Sequence, residues 1–453
     1  MSAAAAATAA LVAGGLAADR PAQTGGLAAH APGRWVPVLY LGFGHLCLAT
    51  AFALVAVAPR AVAGFYYHPK MLAVVHLVTL GWITASILGA LAMVGPMALR
   101  LDLPPRRADY LIFGLYAFGV VGMVAHFWID EPAGMAWSGG CVAAALLGAA
   151  ARYLPAVARA PLPGAVKLHV GLAFFNVLAA GTLGVLIGAH KVAPFLPGGT
   201  LANVAAHAHL AALGWATMMV AGIGYRLLPM LLPSAMPGGR RLYLSAALLE
   251  VGALGLFATL LARRWPGLFA LLAAAGIAAF LSQVGWMARH RRRPARAHRR
   301  PDPAVGHAAA ALLWLLVATA LGLALALAPP AAWKLRAVLV YGVAGLVGFL
   351  AQMVVGVNAR VLAWFAWLRG WAGSGWREPP PSAHDLPPRR VQGAVFVLWN
   401  LGAPLLAVGL AAERLPLLVA GASALAAATL LDAVAAAWIL RPLLSFATKE
   451  SPP

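Results

Sequence analysis

Three histidines stand inside long apolar stretches of the chain. His76 begins HLVTLGWITASILGALAMVGPMAL; His207 and His209 begin HAHLAALGWATMMVAGIGYRLLPMLL, which matches the first stretch at a His, at Leu-Gly-Trp and at Pro-Met. A histidine within a membrane span is costly and usually functional, and neutral imidazole is a common ligand of metals and of haem iron. The pattern predicts that these histidines bind a metal centre, with a polar contact between helices as the alternative.

Membrane-spanning helices must position these histidines. Of the 453 residues 62% are hydrophobic and 10% are charged, and the mean hydropathy is +0.85, whereas soluble domains carry about 25% charged residues. Runs of roughly 20 apolar residues are long enough to cross a bilayer. Twelve such runs predict an all-α polytopic fold: 36–58, 70–98, 108–127, 136–154, 165–189, 201–230, 242–262, 266–288, 305–328, 334–361, 391–411 and 415–440.

The net charge of +21 is divided unevenly between the two sides of this predicted topology. If the N-terminus is cytoplasmic, 25 Lys and Arg residues lie on its side and 8 lie on the other, in line with the positive-inside rule. Both termini are therefore predicted to be cytoplasmic, in a bacterial inner membrane, with the basic segment 289–300 against anionic lipid headgroups. A nucleic-acid partner is not expected. Cys47 and Cys141 fall within predicted spans, so no disulfide framework is expected.

A pair of glycines eight residues apart occurs three times, in predicted helices 2, 6 and 10. The pairs are Gly81 and Gly89, Gly214 and Gly222, and Gly348 and Gly356. We interpret the chain as three pseudo-symmetric repeats of four helices, in which the glycines also permit close packing. In this alignment Val343 takes the place of His76 and His209. The predicted divisions are a tail at 1–33, repeats at 34–160, 161–303 and 304–441, and a tail at 442–453.

His76 and His209 lie at equivalent depths, about 10 to 12 Å inside the non-cytoplasmic end of their predicted helices at 1.5 Å per residue. Two imidazoles at matched depth on facing helices can bind one haem iron from both sides. His207 precedes His209 by two residues, which is about 200° of rotation on an α-helix. We therefore expect its side chain to face the other way, toward a second haem or toward a hydrogen-bond partner.

The string HAHLAALGWATMMVAGIGYRLLP resembles helix 10 of the catalytic subunit of haem–copper oxidases, especially the C-family (cbb-type) enzymes. The resemblance implies that His207 binds a high-spin haem, and that His209 and His76 hold a low-spin haem b. It also implies that Arg263 and Arg264, in the string ARRWPG, contact haem propionates. A threefold arrangement of four-helix arcs is a property of the same superfamily.

The chain departs from those oxidases in two respects. Its His-x-His motif lies on helix 6 rather than helix 10, and the sequence contains no His-His pair for a copper site. It resembles a divergent branch of the superfamily, similar to NnrS-like and oxidase-subunit-I-like membrane proteins. We therefore expect a haem-b-binding protein that transfers electrons or handles nitric oxide or another diatomic gas, with a cytochrome or quinol donor and other respiratory subunits as partners.

Other functions stay open from the sequence. The chain could be an oxidoreductase, but a complete proton-pumping oxygen reductase is not expected because the copper ligands are missing. One alternative is a transporter, or a metal- or haem-handling protein, that reuses the fold. The other is a non-catalytic subunit of a respiratory complex.

Among the other polar residues of the predicted spans, five ionisable ones are candidates for a site. His169 and His307 begin helices 5 and 9 at equivalent places, and with His45 they form a second metal or haem site or merely cap helix starts. Glu250 and Asp432 are carboxyl groups inside spans, where a carboxyl is either protonated or paired. Each is a candidate for proton relay, with a structural hydrogen bond as the alternative.

Overall fold

The structure is a computed structural model. It describes residues 32–292, 302–373, 383 and 386–445. The predicted tail at 1–33 lies outside the described residues except for 32 and 33, and the tail at 442–453 except for 442–445. Positions 293–300 of the basic segment also lie outside them.

The described residues contain twelve helices that are long and apolar enough to cross a membrane. This confirms the predicted number of spans and the all-helical, multi-pass character of the chain. Predicted and observed bounds differ by a few residues, except that the tenth helix continues to Gly370, past its predicted end at 361. The helices are α1 (Trp35–Val57), α2 (Pro69–Leu99), α3 (Arg107–Ile129), α4 (Pro132–Arg159), α5 (Gly164–Val192), α6 (Thr200–Leu231), α7 (Arg241–Leu261), α8 (Gly267–Arg289), α9 (Pro303–Leu327), α10 (Trp333–Gly370), α11 (Arg389–Ala411) and α12 (Leu415–Arg441).

Local sequence signals start two of these helices. Pro132 and Pro303 occupy the first turns of α4 and α9, where a missing backbone N–H costs no hydrogen bond. The carboxylates of Glu131 and Asp302 precede them and accept hydrogen bonds from free N–H groups of the first turn. Such capping satisfies donors that the helix itself leaves unpaired, so each start is fixed by adjacent residues.

The loops divide between two ends of the bundle. We call the end that carries 58–68, 130–131, 193–199, 262–266, 328–332 and 412–414 the histidine end, and the opposite end the arginine end. At the histidine end the ammonium of Lys191 lies 5.0 Å from the ring centroid of Tyr67. At the arginine end Arg226 Nε donates to the carbonyl oxygen of Ala98 at 3.1 Å. The first contact joins α5 to the loop between α1 and α2, and the second joins α6 to α2.

The middle of α2, of α6 and of α10 is π-helical. The π segments are Leu77–Thr84, Leu210–Thr217 and Val343–Ala351, and two of them begin directly after His76 and His209. The α10 segment packs against both of the others. A π turn is wider than an α turn and is frequent at functional sites. In α2 and α6 the change of register directly follows a predicted ligand, and in α10 it begins at Val343, the position equivalent to those ligands.

The repeated glycines lie at close contacts between helices. A methyl group at Gly81 would overlap Cys47, one at Gly222 would overlap His169, and one at Gly348 would overlap Trp314. The other three glycines, Gly89, Gly214 and Gly356, make similar contacts. A Cβ atom placed at Gly214 with ideal geometry would lie 2.6 Å from Asn176 Cγ. These positions therefore require glycine because the neighbouring helix occupies the space of a side chain.

Gly81→Ala and Gly222→Ala are each expected to destabilise the protein, because overpacking costs about 1 to 3 kcal/mol. Gly42→Ala is the matched control, since no atom lies within 4 Å of its ideal Cβ and alanine is the better helix former. Thermal unfolding in detergent, followed by tryptophan fluorescence, measures the difference. A fall in the midpoint for Gly42→Ala equal to that for Gly81→Ala contradicts the packing role.

Candidate functional site

A cavity of about 640 Å³ lies in the histidine half of the bundle, within the roughly 300 to 1,000 Å³ that is usual for small-molecule sites. The π segments of α2, α6 and α10 contribute to its wall. Most of the lining is apolar. The polar side chains in it include the three predicted ligands and a few hydroxyl groups and amines: His76, His207, His209, Tyr66, Tyr67, Tyr341, Lys191, Thr79, Thr84, Thr217 and Thr319.

The hydrogen bonds of the three cavity histidines fix which ring nitrogen carries the proton. In His76 and His209, Nδ1 lies 2.7 and 2.8 Å from the carbonyl oxygen four residues earlier. In His207, Nδ1 lies 2.9 Å from the carbonyl oxygen of Ala180 on α5. A carbonyl oxygen only accepts, so Nδ1 donates and the lone pair of the neutral ring is on Nε2. Histidines that bind metals commonly have this outer hydrogen bond.

Aromatic rings hold two of these imidazoles in place. The ring of His76 stacks on Phe127, with centroids 4.8 Å apart and planes inclined by 23°. The ring of His209 stacks on Tyr341 at 6.2 Å and 24°. The phenolic oxygen of Tyr341 lies 3.5 Å from Nε2 of His209, which is the long end of a hydrogen bond in which the hydroxyl donates.

His207 and His209 face different neighbours, yet both line the same cavity. His207 packs toward α5, where its ring lies 2.9 Å from the ideal Cβ of Gly184, while His209 faces Tyr341 of α10. His207 also interacts electrostatically with His76. His209 therefore has its own polar neighbour in the cavity, Tyr341, and the His76 with His209 ligand pair stays a prediction.

Tyr341 is a cavity residue that sequence reasoning missed. The alignment that sets Val343 against His209 also sets Tyr341 against His207, because each lies two residues earlier. A tyrosine in an apolar span attracts little notice by itself. The repeat alignment was the available signal, and it gives the third repeat a polar group at the position of a histidine.

Lys191 was missed as well, and it places a cation in the wall of the cavity. Among the described residues it is the only charged side chain in the lining, and Asp130 interacts with it electrostatically. Arg263 and Arg264 lie at the same end of the bundle, after α7, but are exposed and outside the lining. The structure thus places Lys191, and not Arg263 or Arg264, in the lining of the cavity that contains the three histidines.

Glu250 and His169 belong to a polar contact between α5 and α7. Glu250, 9% exposed, accepts a hydrogen bond of 2.7 Å from Nδ2 of Asn176. His169 Nε2 lies 3.1 Å from Oγ of Ser245, which in turn lies 2.7 Å from the hydroxyl of Tyr225. Both groups therefore make a structural contact within the second predicted repeat.

His45, His307 and Asp432 come together elsewhere, between α1, α9 and α12. His45 Nε2 lies 3.1 Å from Oδ2 of Asp432, and Asp432 also interacts electrostatically with His307. The predicted second site of His169, His307 and His45 is thus arranged around a carboxyl group for two of its members, while His169 bonds to Ser245. Within the described ranges, no group of three or more His, Cys, Asp or Glu residues has a geometry suited to a metal ion.

Comparisons with known proteins give no assignment. No protein-family model matches the chain, and no curated protein matches it.

The contact between Asn176 and Glu250 can be tested with a double-mutant cycle. Asn176→Leu is expected to lower the free energy of unfolding by about 1 to 3 kcal/mol, because it leaves a buried carboxyl group without its donor. Adding Glu250→Leu is expected to recover most of that loss, since replacing both partners by apolar groups is nearly neutral. Thermal unfolding in detergent measures both, and strictly additive losses would show that the two side chains do not depend on each other.

Proposed function

We propose that the protein binds haem b in the cavity and serves electron transfer or the handling of a diatomic gas such as nitric oxide. One observation carries this: three imidazoles with Nδ1 hydrogen-bonded to backbone carbonyls line a single, mostly apolar cavity. Since Nδ1 is turned toward backbone, Nε2 at the opposite edge of each ring is the nitrogen left for an iron. Haem iron supplies one-electron chemistry and a coordination position for a gas.

Two ligand pairs are consistent with this donor set. His76 with His209 is the pair that the repeat alignment and the resemblance to haem–copper oxidases favour. His76 with His207 is the second pair, because both rings line the cavity and lie near enough for their charges to interact. In the second arrangement His209 keeps its contact with the Tyr341 hydroxyl. The proposal includes no copper centre, because the chain has no His-His pair.

We place the arginine end in the cytoplasm and the histidine end outside, in a bacterial inner membrane. The distribution of 25 Lys and Arg residues against 8 supports this orientation. Three four-helix repeats form part of the same proposal. The three π segments and the matching glycine contacts of α2, α6 and α10 support it. A cytochrome or quinol would then supply electrons, and other respiratory subunits are possible partners.

A carrier of haem or metal is the second candidate. It is favoured by the extent of the cavity, whose lining includes Tyr66 and Tyr67 of the loop at the histidine end as well as His76. Such a cavity gives a ligand a route from that end to the imidazoles. A carrier would release its ligand to an acceptor, whereas an electron-transfer protein keeps its haem through the reaction.

Haem binding is tested by reduced-minus-oxidised spectra and a pyridine haemochrome assay on the purified chain. We expect b-type haem in the wild type and a fall in haem affinity for His76→Ala of at least roughly 10- to 100-fold, the cost of losing even an outer-shell partner. His290→Ala is the control, since this exposed ring stacks on Trp286 at the arginine end. Comparing His209→Ala with His207→Ala identifies the second ligand.

The outcomes separate the candidates. Absence of b-type haem from a folded wild type overturns the first. Haem that passes readily to apomyoglobin, with the same histidines required, supports the carrier. Carbon monoxide binding to the reduced protein tests for an open coordination position.

Lys191 is expected to bind an acidic group of the cavity ligand, such as a haem propionate. Lys191→Met should weaken haem binding by about 10- to 100-fold, because hydrogen bonds to charged groups contribute about 1.5 to 3 kcal/mol. Arg264→Met is the matched control, since it removes an exposed cation at the same end. Titration of the apoprotein with haemin measures both affinities. A larger loss for Arg264→Met would restore the arginine pair that the resemblance implies.

A further inference from the structure

A cluster of five polar side chains joins α1, α9, α10, α11 and α12, and none of the five lines the cavity. Four of them are less than a tenth exposed: His45 at 7%, Asp432 at 7%, His307 at 2% and Gln352 at 0%. The fifth is Asn400. Polar groups inside an apolar bundle cost free energy unless their hydrogen bonds are satisfied. The pattern of these bonds therefore shows which atoms of the cluster still need a partner.

The direction of the hydrogen bonds on one side is fixed by a backbone carbonyl. Asn400 Nδ2 donates to the carbonyl oxygen of Phe396 at 2.8 Å, so its Oδ1 is free to accept. Gln352 Nε2 donates to that Oδ1 at 3.2 Å. The second hydrogen of the same amide faces Nδ1 of His307 at 3.5 Å. Nδ1 of His307 is therefore an acceptor, and the proton of the neutral ring is on Nε2.

His45, on the other side of the cluster, has the opposite arrangement of donor and acceptor nitrogens to His307. Nδ1 of His45 lies 2.8 Å from the carbonyl oxygen of Leu41 and must donate to it. Nε2 of His45 lies 3.1 Å from Oδ2 of Asp432. Two lone pairs cannot form this contact, so one proton lies between the nitrogen and the oxygen. When it moves from oxygen to nitrogen, an O–H bond breaks, an N–H bond forms, and the pair stays net neutral.

Two polar atoms of the cluster have no protein partner among the described residues. One is Nε2 of His307, which carries the proton of the ring because Nδ1 accepts from Gln352. The other is Oε1 of Gln352, which can only accept. Asp432 interacts electrostatically with His307. A single water molecule can accept from the first atom and donate to the second and to the carboxyl group, which are the three bonds that a buried water typically makes.

We propose that this cluster binds one internal water molecule and, with an exchangeable proton on the pair of His45 and Asp432, forms a proton-exchange site separate from the cavity. The water connects the donor His307 to the carboxyl group, which passes the proton to or from His45. The proposal does not depend on haem binding. A cation in place of the water is the competing occupant, because Oε1 and a carboxylate also attract a cation.

The test is infrared spectroscopy of the full chain in lipid nanodiscs after transfer from H2O to D2O. The infrared bands of the His45 and Asp432 pair are assigned with two variants: Asp432→Asn removes them, and Glu250→Gln leaves them in place. We expect them to exchange well before the backbone amides of the spanning helices. His307→Phe is expected to slow this exchange by about tenfold, because it removes one hydrogen bond to the water molecule and the loss of one such bond changes a rate by about that factor. His169→Phe, at a buried histidine bonded to Ser245, is the control and should leave the rate unchanged.

Gln352→Leu removes the second unpartnered atom and keeps both ionisable groups, so it is expected to slow the exchange as His307→Phe does. The test thus does not depend on the folding of one variant. Exchange of the wild-type bands as slow as that of the helix amides overturns the proposal. A rate unaffected by both variants, or bands that shift when Na⁺ or K⁺ replaces choline, overturns it too.

Discussion

A polar group inside a membrane span needs a partner in the protein or an internal water molecule, because hydrocarbon offers none. Histidine meets this constraint here in a regular way: Nδ1 of His45, His76, His169 and His209 lies within 2.8 Å of the carbonyl oxygen four residues earlier. One nitrogen of each ring is thereby committed to the helix. What distinguishes the histidines is the group that Nε2 meets, which is a carboxyl for His45, a serine for His169 and the wall of the cavity for His76. Function follows from that second nitrogen.

The number and bounds of the twelve helices could be predicted because bilayer thickness sets the length and apolarity of a span. The π segments could not. Leu77–Thr84 and Leu210–Thr217 consist of ordinary apolar residues, a glycine, a tryptophan and a threonine, and nothing in that composition separates a π from an α register. The contacts of Gly81 with Cys47 and of Gly214 with Asn176 depend on neighbouring helices, so the register is decided by tertiary packing that a single sequence does not display.

The candidate site divides in the same way. His76, His207 and His209 stand out in the sequence because imidazoles are rare in apolar spans, and the structure places all three on one cavity. Lys191 ends a helix, where a lysine ordinarily marks the membrane interface, so its position in the cavity wall depends on the packing of α5 against its neighbours. Arg263 and Arg264 were selected by resemblance, and the fold leaves them exposed, so their contact with a haem stays a prediction. Local chemistry identifies candidates, and only packing decides which of them share a space.

The cavity and the buried cluster meet along one short stretch of α10. Phe349 and Leu350 line the cavity, the carbonyl oxygen of Ala351 accepts from Trp82 Nε1 at 3.3 Å, and Gln352 belongs to the cluster. Trp82 also packs edge-on against His45, with centroids 4.8 Å apart. The π segment ends at Ala351, so the change from π to α register falls between the residues that serve the cavity and the residue that orients His307. A shift of that register would move both groups together, since close-packed interiors transmit displacement rather than absorb it. The wall of the cavity and the cluster are therefore adjacent on α10, and Trp82 packs against both the end of the π segment and His45.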